Sequence, residues 1–354
     1  MRLTALSGLG VKGPACFLLE AEGRRLLLDL GRGPDGDALP DLAGVGRVDA
    51  ILFSHGHKDH TGGLHLAERL GHPPLFATEP TVALSTDPAM RAAQPYEDRT
   101  EILGLPFACG PSGHAPGACW MRIGGEDGLL YTGDASDEGR LWPFAPPPRA
   151  AALVFDASYG AAAEPLADQI AGLLALADQP LLLPAPAGGR GLEMALAFRD
   201  AGREVALCPA HRRVAEAMAA RPRWLAPGGA EALARLLDTT ATLTEDGPLR
   251  GVMIAAGPNA ERDTAAALAP RMAGRGRIVF TGHLAEGTPA PGLVTAGRAL
   301  FRRWNVHPRL TGLRRLLADV APTWAMPAFC TGGAAAGLAT ALGRPLDTGR
   351  VMEW

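Results

Sequence analysis

A chain of 354 residues with 47% hydrophobic side chains carries enough apolar mass for a sizeable core, in one large or two interlocked domains. That composition excludes disorder over long stretches. The formal net charge is −3 and the pI about 6.3, which excludes a general basic coat for nucleic acid, so any polyanion must be held by a local site.

The predicted elements begin with a β pattern. Ala15-Cys16-Phe17-Leu18-Leu19 and Arg25-Leu26-Leu27-Leu28-Asp29 flank the turn-prone pair Glu22-Gly23, which predicts a hairpin. Residues 48–53 read as a buried strand. It runs into the loop Ser54-His55-Gly56-His57-Lys58-Asp59-His60, and after Thr61-Gly62-Gly63 a short helix follows over 64–70. Further strands are expected at 118–123, 128–132 and 152–155. Between the last two, Trp142-Pro143-Phe144-Ala145-Pro146-Pro147-Pro148 forms a rigid connector outside sheet and helix. From about residue 165 strands and helices alternate. Strands are predicted at 181–183, 204–208, 251–255 and 277–281, and helices at 192–201, 211–220 and 260–273. That alternation indicates βαβ units and a largely parallel sheet. Two helical stretches, 311–320 and 333–342, close the chain.

No apolar run is long enough for a membrane span, and Met1-Arg2-Leu3-Thr4 lacks the apolar stretch of a secretory signal. Cys16, Cys109, Cys119, Cys208 and Cys330 show no C-x-x-C spacing, so reduced thiols and a cytoplasmic location are expected.

The loop after the strand at 48–53 packs His55, His57, Asp59 and His60 into six residues. A strand-to-helix loop is where a rigid scaffold aims several imidazoles at one point. Neutral imidazoles suit a borderline divalent ion such as Zn²⁺, and a carboxylate among them suggests a second ion beside the first. Two later segments offer further ligands: His114 lies in the Gly/Pro-rich loop Ser112-Gly113-His114-Ala115-Pro116-Gly117, and Asp134 follows a strand in Tyr131-Thr132-Gly133-Asp134.

In this order and spacing the residues resemble the metallo-β-lactamase superfamily. The resemblance implies an α/β fold, the αββα sandwich, with two metals at its edge. His55, His57 and His114 would hold the first metal, Asp59 and His60 the second, and Asp134 would bridge them. Three further stretches resemble the β-CASP nucleases. They are Val154-Phe155-Asp156-Ala157-Ser158-Tyr159-Gly160, then Phe280-Thr281-Gly282-His283-Leu284-Ala285-Glu286-Gly287-Thr288, and Pro184 to Glu193 with Arg190. Asn305-Val306-His307 falls where that branch has Ser-x-His. The implied organisation is a metallo-β-lactamase domain over 1–164 and 301–354, with an inserted α/β β-CASP-like domain over 165–300.

The resemblance implies catalytic roles for Asp59, Asp156 and His307. A carboxylate beside an imidazole fixes its orientation, which suits His307 as a general acid toward a leaving oxygen. Arg190, His283 and Thr288 are the substrate-binding candidates. For Arg190 phosphate contact stands beside a structural ion pair, and for His283 metal ligation, phosphate contact and packing are open. His65, His72 and His211 read as surface or helix residues. The family ends with a strand followed by His-Gly, whose histidine completes the second metal site. Here Trp324-Ala325-Met326-Pro327-Ala328-Phe329-Cys330-Thr331 contains no histidine. Cys330 is left as either a soft ligand or an inert buried thiol.

The expected function is a metal-dependent phosphodiesterase or nuclease cleaving RNA or single-stranded DNA through a metal-activated water, with Zn²⁺, two ions, or Mn²⁺ as cofactor. A small-molecule metallohydrolase acting on a phosphodiester, thioester or lactone is the alternative, favoured by an aromatic content of 5% that leaves few platforms for stacking bases. A non-catalytic binding subunit is the third. The sequence carries no sign of oligomeric state.

Overall fold

The computed structural model describes residues 1–354. Its contacts divide into two compact units, the first comprising Met1–Glu138, Pro143–Ala163 and Val306–Trp354, the second Gly139–Trp142 and Glu164–Asn305.

The first unit is built on two sheets. One has seven strands in the spatial order Val351–Glu353, Arg2–Ser7, Cys16–Ala21, Arg24–Leu28, Ala50–Leu52, Leu75–Ala77, Gln94–Pro95. The other has six, in the order Trp324–Ala328, Ala152–Asp156, Leu129–Tyr131, Cys119–Ile123, Leu105–Pro111, Glu101–Ile102. The expected hairpin is present, with Cys16–Ala21 antiparallel to Arg24–Leu28. Its turn residues Glu22 and Gly23 both have positive φ, 50° and 74°, the geometry that matches the twist of two joined strands.

These strands read as continuous apolar runs because both faces are covered. Along Arg24–Leu28, Leu26 and Leu28 enter the core between the sheets with Phe17, Met121, Tyr131 and Val154. Leu27 points to the outer side and joins Ile51, Phe53, Leu66 and Leu70 under the 3₁₀ helix Leu64–Leu70. The second sheet is covered in the same way. Helix Leu310–Val320 places Leu313, Leu316, Leu317 and Val320 on one face, against Leu130, Leu153 and Phe155. The layers are therefore helix, sheet, sheet, helix. Each fully buried leucine stabilises them by about 1.5–3 kcal/mol over an exposed one.

The second unit carries a six-stranded sheet in the order Ala241–Thr242, Val205–Leu207, Val252–Ala255, Leu181–Pro184, Arg277–Phe280, Leu300–Phe301. Every pairing in it is parallel. Helices Arg190–Asp200 and Asp263–Arg271 pack on its strands. Residues 139–142, which the sequence assigns to the first domain, go with this unit because the buried Glu193 holds their backbone. Its Oε1 accepts from the N–H groups of Arg140 at 2.8 Å and Leu141 at 3.0 Å. Asn305 belongs here as well, accepting from Gln169 Nε2 at 3.0 Å and donating its backbone N–H to Gln169 Oε1 at 2.8 Å. No helix is long and apolar enough to cross a membrane.

Candidate metal centre

Strand Ala50–Leu52 ends just before the histidine loop, and the main chain ties that loop down on both sides. Ala15 N–H donates to the Asp59 carbonyl at 2.8 Å, and Leu30 N–H to the His60 carbonyl at 2.9 Å. Gly31 makes this approach possible, since a Cβ there would stand 1.7 Å from the Asp59 oxygen. The loop is rigid backbone, so the side chains it carries are aimed rather than mobile.

Donors from the loop and from two later segments, at His114 and Asp134, converge there. One group joins His55, His57, His114 and Asp134, and a second joins Asp59, His60 and Asp134. A third, Asp134 with Asp156 and His307, adjoins them, so Asp134 is common to all three. Its Oδ1 lies 3.3 Å from His60 Nε2, and its Oδ2 is 3.4 Å from His114 Nε2 and 3.7 Å from His307 Nδ1.

The outer hydrogen bonds decide which ring nitrogens face inward with lone pairs. His114 Nδ1 donates to the Val306 carbonyl at 2.6 Å, leaving Nε2 bare and 3.1 Å from His57 Nδ1. His60 Nδ1 faces Asp29 Oδ2 at 2.7 Å, so its Nε2 points at Asp134. His55 Nε2 is buried and without a protein partner. The His57, His60 and His114 nitrogens and the Asp134 oxygens lie 3.1–3.4 Å from one another, and the unpartnered His55 Nε2 belongs to the same group of donors, close enough for one cation to take their place as partner. The donor set therefore fits a divalent metal, and imidazole-rich donors suit a zinc-like ion.

For His55 and His114 the electrostatics agree. Burial holds the His55 and His114 pKa values well below the usual histidine range, the neighbouring imidazoles adding to it, and keeps both rings neutral as ligation requires. Burial would raise Asp134, but His60, His307 and His114 around it hold its carboxyl well below the usual range. Burial also opposes charge on His60, yet Asp134 and Asp29 on either side outweigh it and raise that ring well above its usual value.

Asp29 is the functional residue that the sequence quoted only as part of a hairpin. It is fully buried, with a left-handed φ of 57° at the end of its strand, and four donors satisfy it. Ser54 N–H reaches Oδ1 at 2.7 Å, while Ser54 Oγ, Tyr131 OH and His60 Nδ1 reach Oδ2 at 2.7, 2.5 and 2.7 Å. A carboxylate so enclosed locks the orientation of the His60 ring. The available signal was a lone acidic residue closing a run of leucines.

Beside the cluster, His307 Nδ1 lies 2.7 Å from Asp156 Oδ2. Asp156 is itself fixed by the backbone N–H groups of Ala135 and Ser158, each at 3.0 Å. The Tyr159 ring meets His307 edge-on at 4.9 Å between centroids. The metal-site expectations thus come together in one unit with Asp156 and His307.

Arg190, His283 and Thr288 lie in the second unit. Arg190 is buried and donates from Nε to Thr281 Oγ1 at 2.9 Å, His283 is exposed, and Thr288 Oγ1 donates to the Ala285 carbonyl at 2.6 Å. Cys330 is turned into the apolar cluster of Phe155, Ala157 and Leu313, and burial, then Asp156, pushes its thiol up to about 11. It takes no part in the donor groups. Of the remaining histidines, His65 and His72 are exposed, but His211 is fully buried in helix Pro209–Ala219.

A sequence model of the Metallo-beta-lactamase superfamily matches residues 9–172. The chain is similar to a transcription termination factor, FttA, of Cenarchaeum symbiosum, at 29% identity over 54% of this chain and 38% of that one. It is also similar to a ribonuclease of Thermus thermophilus, at 33% identity over 42% of each. The chain thus spans less than half the length of these relatives. Among solved structures, a protein of unknown function from Enterococcus faecalis V583 shares the fold, with a TM-score of 0.58 and 13% identity over 99% of both chains.

Proposed function

This chain belongs to the metallo-beta-lactamase superfamily, in its β-CASP branch; on that premise we propose that it is a metal-dependent hydrolase that cleaves phosphodiester bonds of RNA or single-stranded DNA. The observation that carries the proposal is the position of Asp134, shared between the convergent histidines and the Asp156–His307 pair. Metal donors and an oriented acid–base pair then serve one reacting centre.

His55, His57, His114 and Asp134 would hold the first ion, and Asp59 and His60, with Asp134, the second. Zinc is the proposed ion and manganese the alternative. When bound, such an ion supplies Lewis acidity toward a phosphoryl oxygen and lowers the pKa of water beside it. The chain's own residues do the rest. Asp156 receives the Nδ1 side of His307, and this leaves Nε2 to deliver a proton to the leaving oxygen. The Ala135 and Ser158 N–H groups keep Asp156 from turning away. Of the substrate-binding residues proposed, His283 is exposed, and Arg190 and Thr288 are hydrogen-bonded within the same unit.

The test is end-labelled RNA and single-stranded DNA oligonucleotides incubated with purified protein and Zn²⁺ or Mn²⁺. Wild type is expected to cleave, a His57→Ala/Asp59→Ala double variant not to, and His307→Ala to lose about 10²–10⁴-fold in rate. Equal signal from wild type and the double variant refutes the proposal. Hydrolysis confined to small phosphodiesters or thioesters would move it to the small-molecule alternative.

A further inference from the structure

We infer that this chain holds one metal ion tightly and a second only weakly, because the ring of Phe329 stands where a fourth donor to the second ion would have to come from. The inference rests on the cluster being a metal centre and goes beyond the nuclease proposal, which does not fix how many ions stay bound.

The two donor sets are unequal. The first position has three imidazoles and a carboxylate, four donors of the kinds zinc takes. The second has Asp59, His60 and the shared Asp134. Asp29 occupies the Nδ1 side of His60, so no further ligand arrives from there. Next to the same ring lies Phe329, its centroid 5.2 Å from that of His60 and the rings inclined at 66°.

Phe329 follows directly on strand Trp324–Ala328, at the point where the family places its last histidine. Its backbone has φ +62°, and its N–H donates to the Gly8 carbonyl at 2.7 Å. A bulky aromatic is rarely found in this left-handed region, while histidine enters it more readily. The chain therefore keeps a backbone turn that aims side chain 329 at the cluster, although the side chain carries no lone pair. Phe329 is 3% exposed and meets Phe17 edge-on at 6.1 Å, so it fills the space with hydrocarbon rather than leaving room for a mobile donor. Cys330, the thiol of this stretch, packs in a different cluster, with Phe155 and Leu313.

Loss of a partner that merely orients a ligand weakens metal binding about 10–100-fold, so a missing ligand is expected to separate the two affinities by at least about 100-fold. The experiment uses the full chain, stripped with a chelator, then titrated with Zn²⁺ against a chromogenic competitor and counted by elemental analysis after gel filtration. Wild type is expected to retain one equivalent and to bind the next at least about 100-fold more weakly. Phe329→His is expected to retain two, and Phe329→Leu one. Asp59→Asn should erase the weak step and leave the tight one, so the inference stays open to refutation even where Phe329→His does not fold. Two equivalents of similar affinity in wild type, an unchanged count in folded Phe329→His, or loss of the tight step in Asp59→Asn overturns it. Zero equivalents in wild type overturns the metal centre itself. An RNA-cleavage failure with one tight equivalent sinks only the proposed substrate.

Discussion

His211 is expected to make the chain acid-sensitive in a defined window. The ring has no solvent exposure, and its Nε2 lies 3.1 Å from the Pro186 carbonyl while Nδ1 lies 3.1 Å from Cys208 Sγ. A neutral imidazole satisfies both contacts, donating Nε2–H to the carbonyl and accepting the thiol proton at Nδ1. A protonated ring presents a second N–H to a sulfur that already accepts from Ala256 N–H at 3.2 Å. Burial accordingly pulls the pKa from 6.5 to about 4, the Pro186 carbonyl opposing and Arg190 reinforcing the shift. Because the folded value is the lower one, the unfolded chain binds more protons, and the stabilisation is present above pH 6.5 and lost as pH falls through 4. The whole shift is worth about 3 kcal/mol, of which about 2 kcal/mol is lost between pH 7.5 and 5. Urea unfolding of wild type and His211→Gln, paired at each pH, isolates this residue from the other titrating groups. The variant is expected to be the less stable at pH 7.5 and to gain about 2 kcal/mol on wild type by pH 5. A difference that stays constant across that range refutes the argument.

Glu193 is expected to slope the other way. Burial raises its pKa against the opposing backbone N–H groups of Leu141, Arg140 and Trp142, so its contribution is fully present below pH 4.5 and lost as pH rises through the raised value. Glu193→Gln should therefore gain on wild type as pH increases in the same paired urea series, and a gain on acidification instead would refute this. Asp29→Asn should destabilise the chelator-treated chain by at least about 2 kcal/mol, since hydrogen bonds to a charged group contribute about 1.5–3 kcal/mol each. A midpoint in urea unchanged from wild type would show that the four donors on Asp29 contribute nothing to folding.

Much of the architecture is legible because its causes are local. The parallel sheet of the second unit follows from strands and helices alternating at short spacing, and the strands expected at 181–183, 251–255 and 277–281 are Leu181–Pro184, Val252–Ala255 and Arg277–Phe280 in the structure. Three of the elements absent from the expectation share a cause as well. Arg2–Ser7, Leu75–Ala77 and Val351–Glu353 are short or polar strands that owe their state to pairing with distant partners, Arg2 opposite Glu353 being the extreme case. The segment at 139–142 reads as a connector, since only Glu193, more than fifty residues later, determines which unit holds it.

The metal donors are legible for a different reason. Ligation demands particular side chains at narrow spacing, and His55, His57, Asp59 and His60 can hardly be assembled for another purpose. Their supports carry no such demand. Asp29 could be read equally as a turn former, and Val306 contributes only a carbonyl to His114, which any residue would supply. Phe329 and Cys330 mark the boundary most sharply. The missing histidine is visible from sequence, whereas its replacement is not, because two adjacent buried residues are both plausible neighbours of the cluster. One backbone angle decides between them. At φ +62° residue 329 turns toward His60 and Phe17, and residue 330 is sent into the core around Phe155 and Leu313. No glycine announces that turn, which is held by contacts made across the fold, Phe329 N–H to the Gly8 carbonyl and the bridge between Gly10 and Thr331.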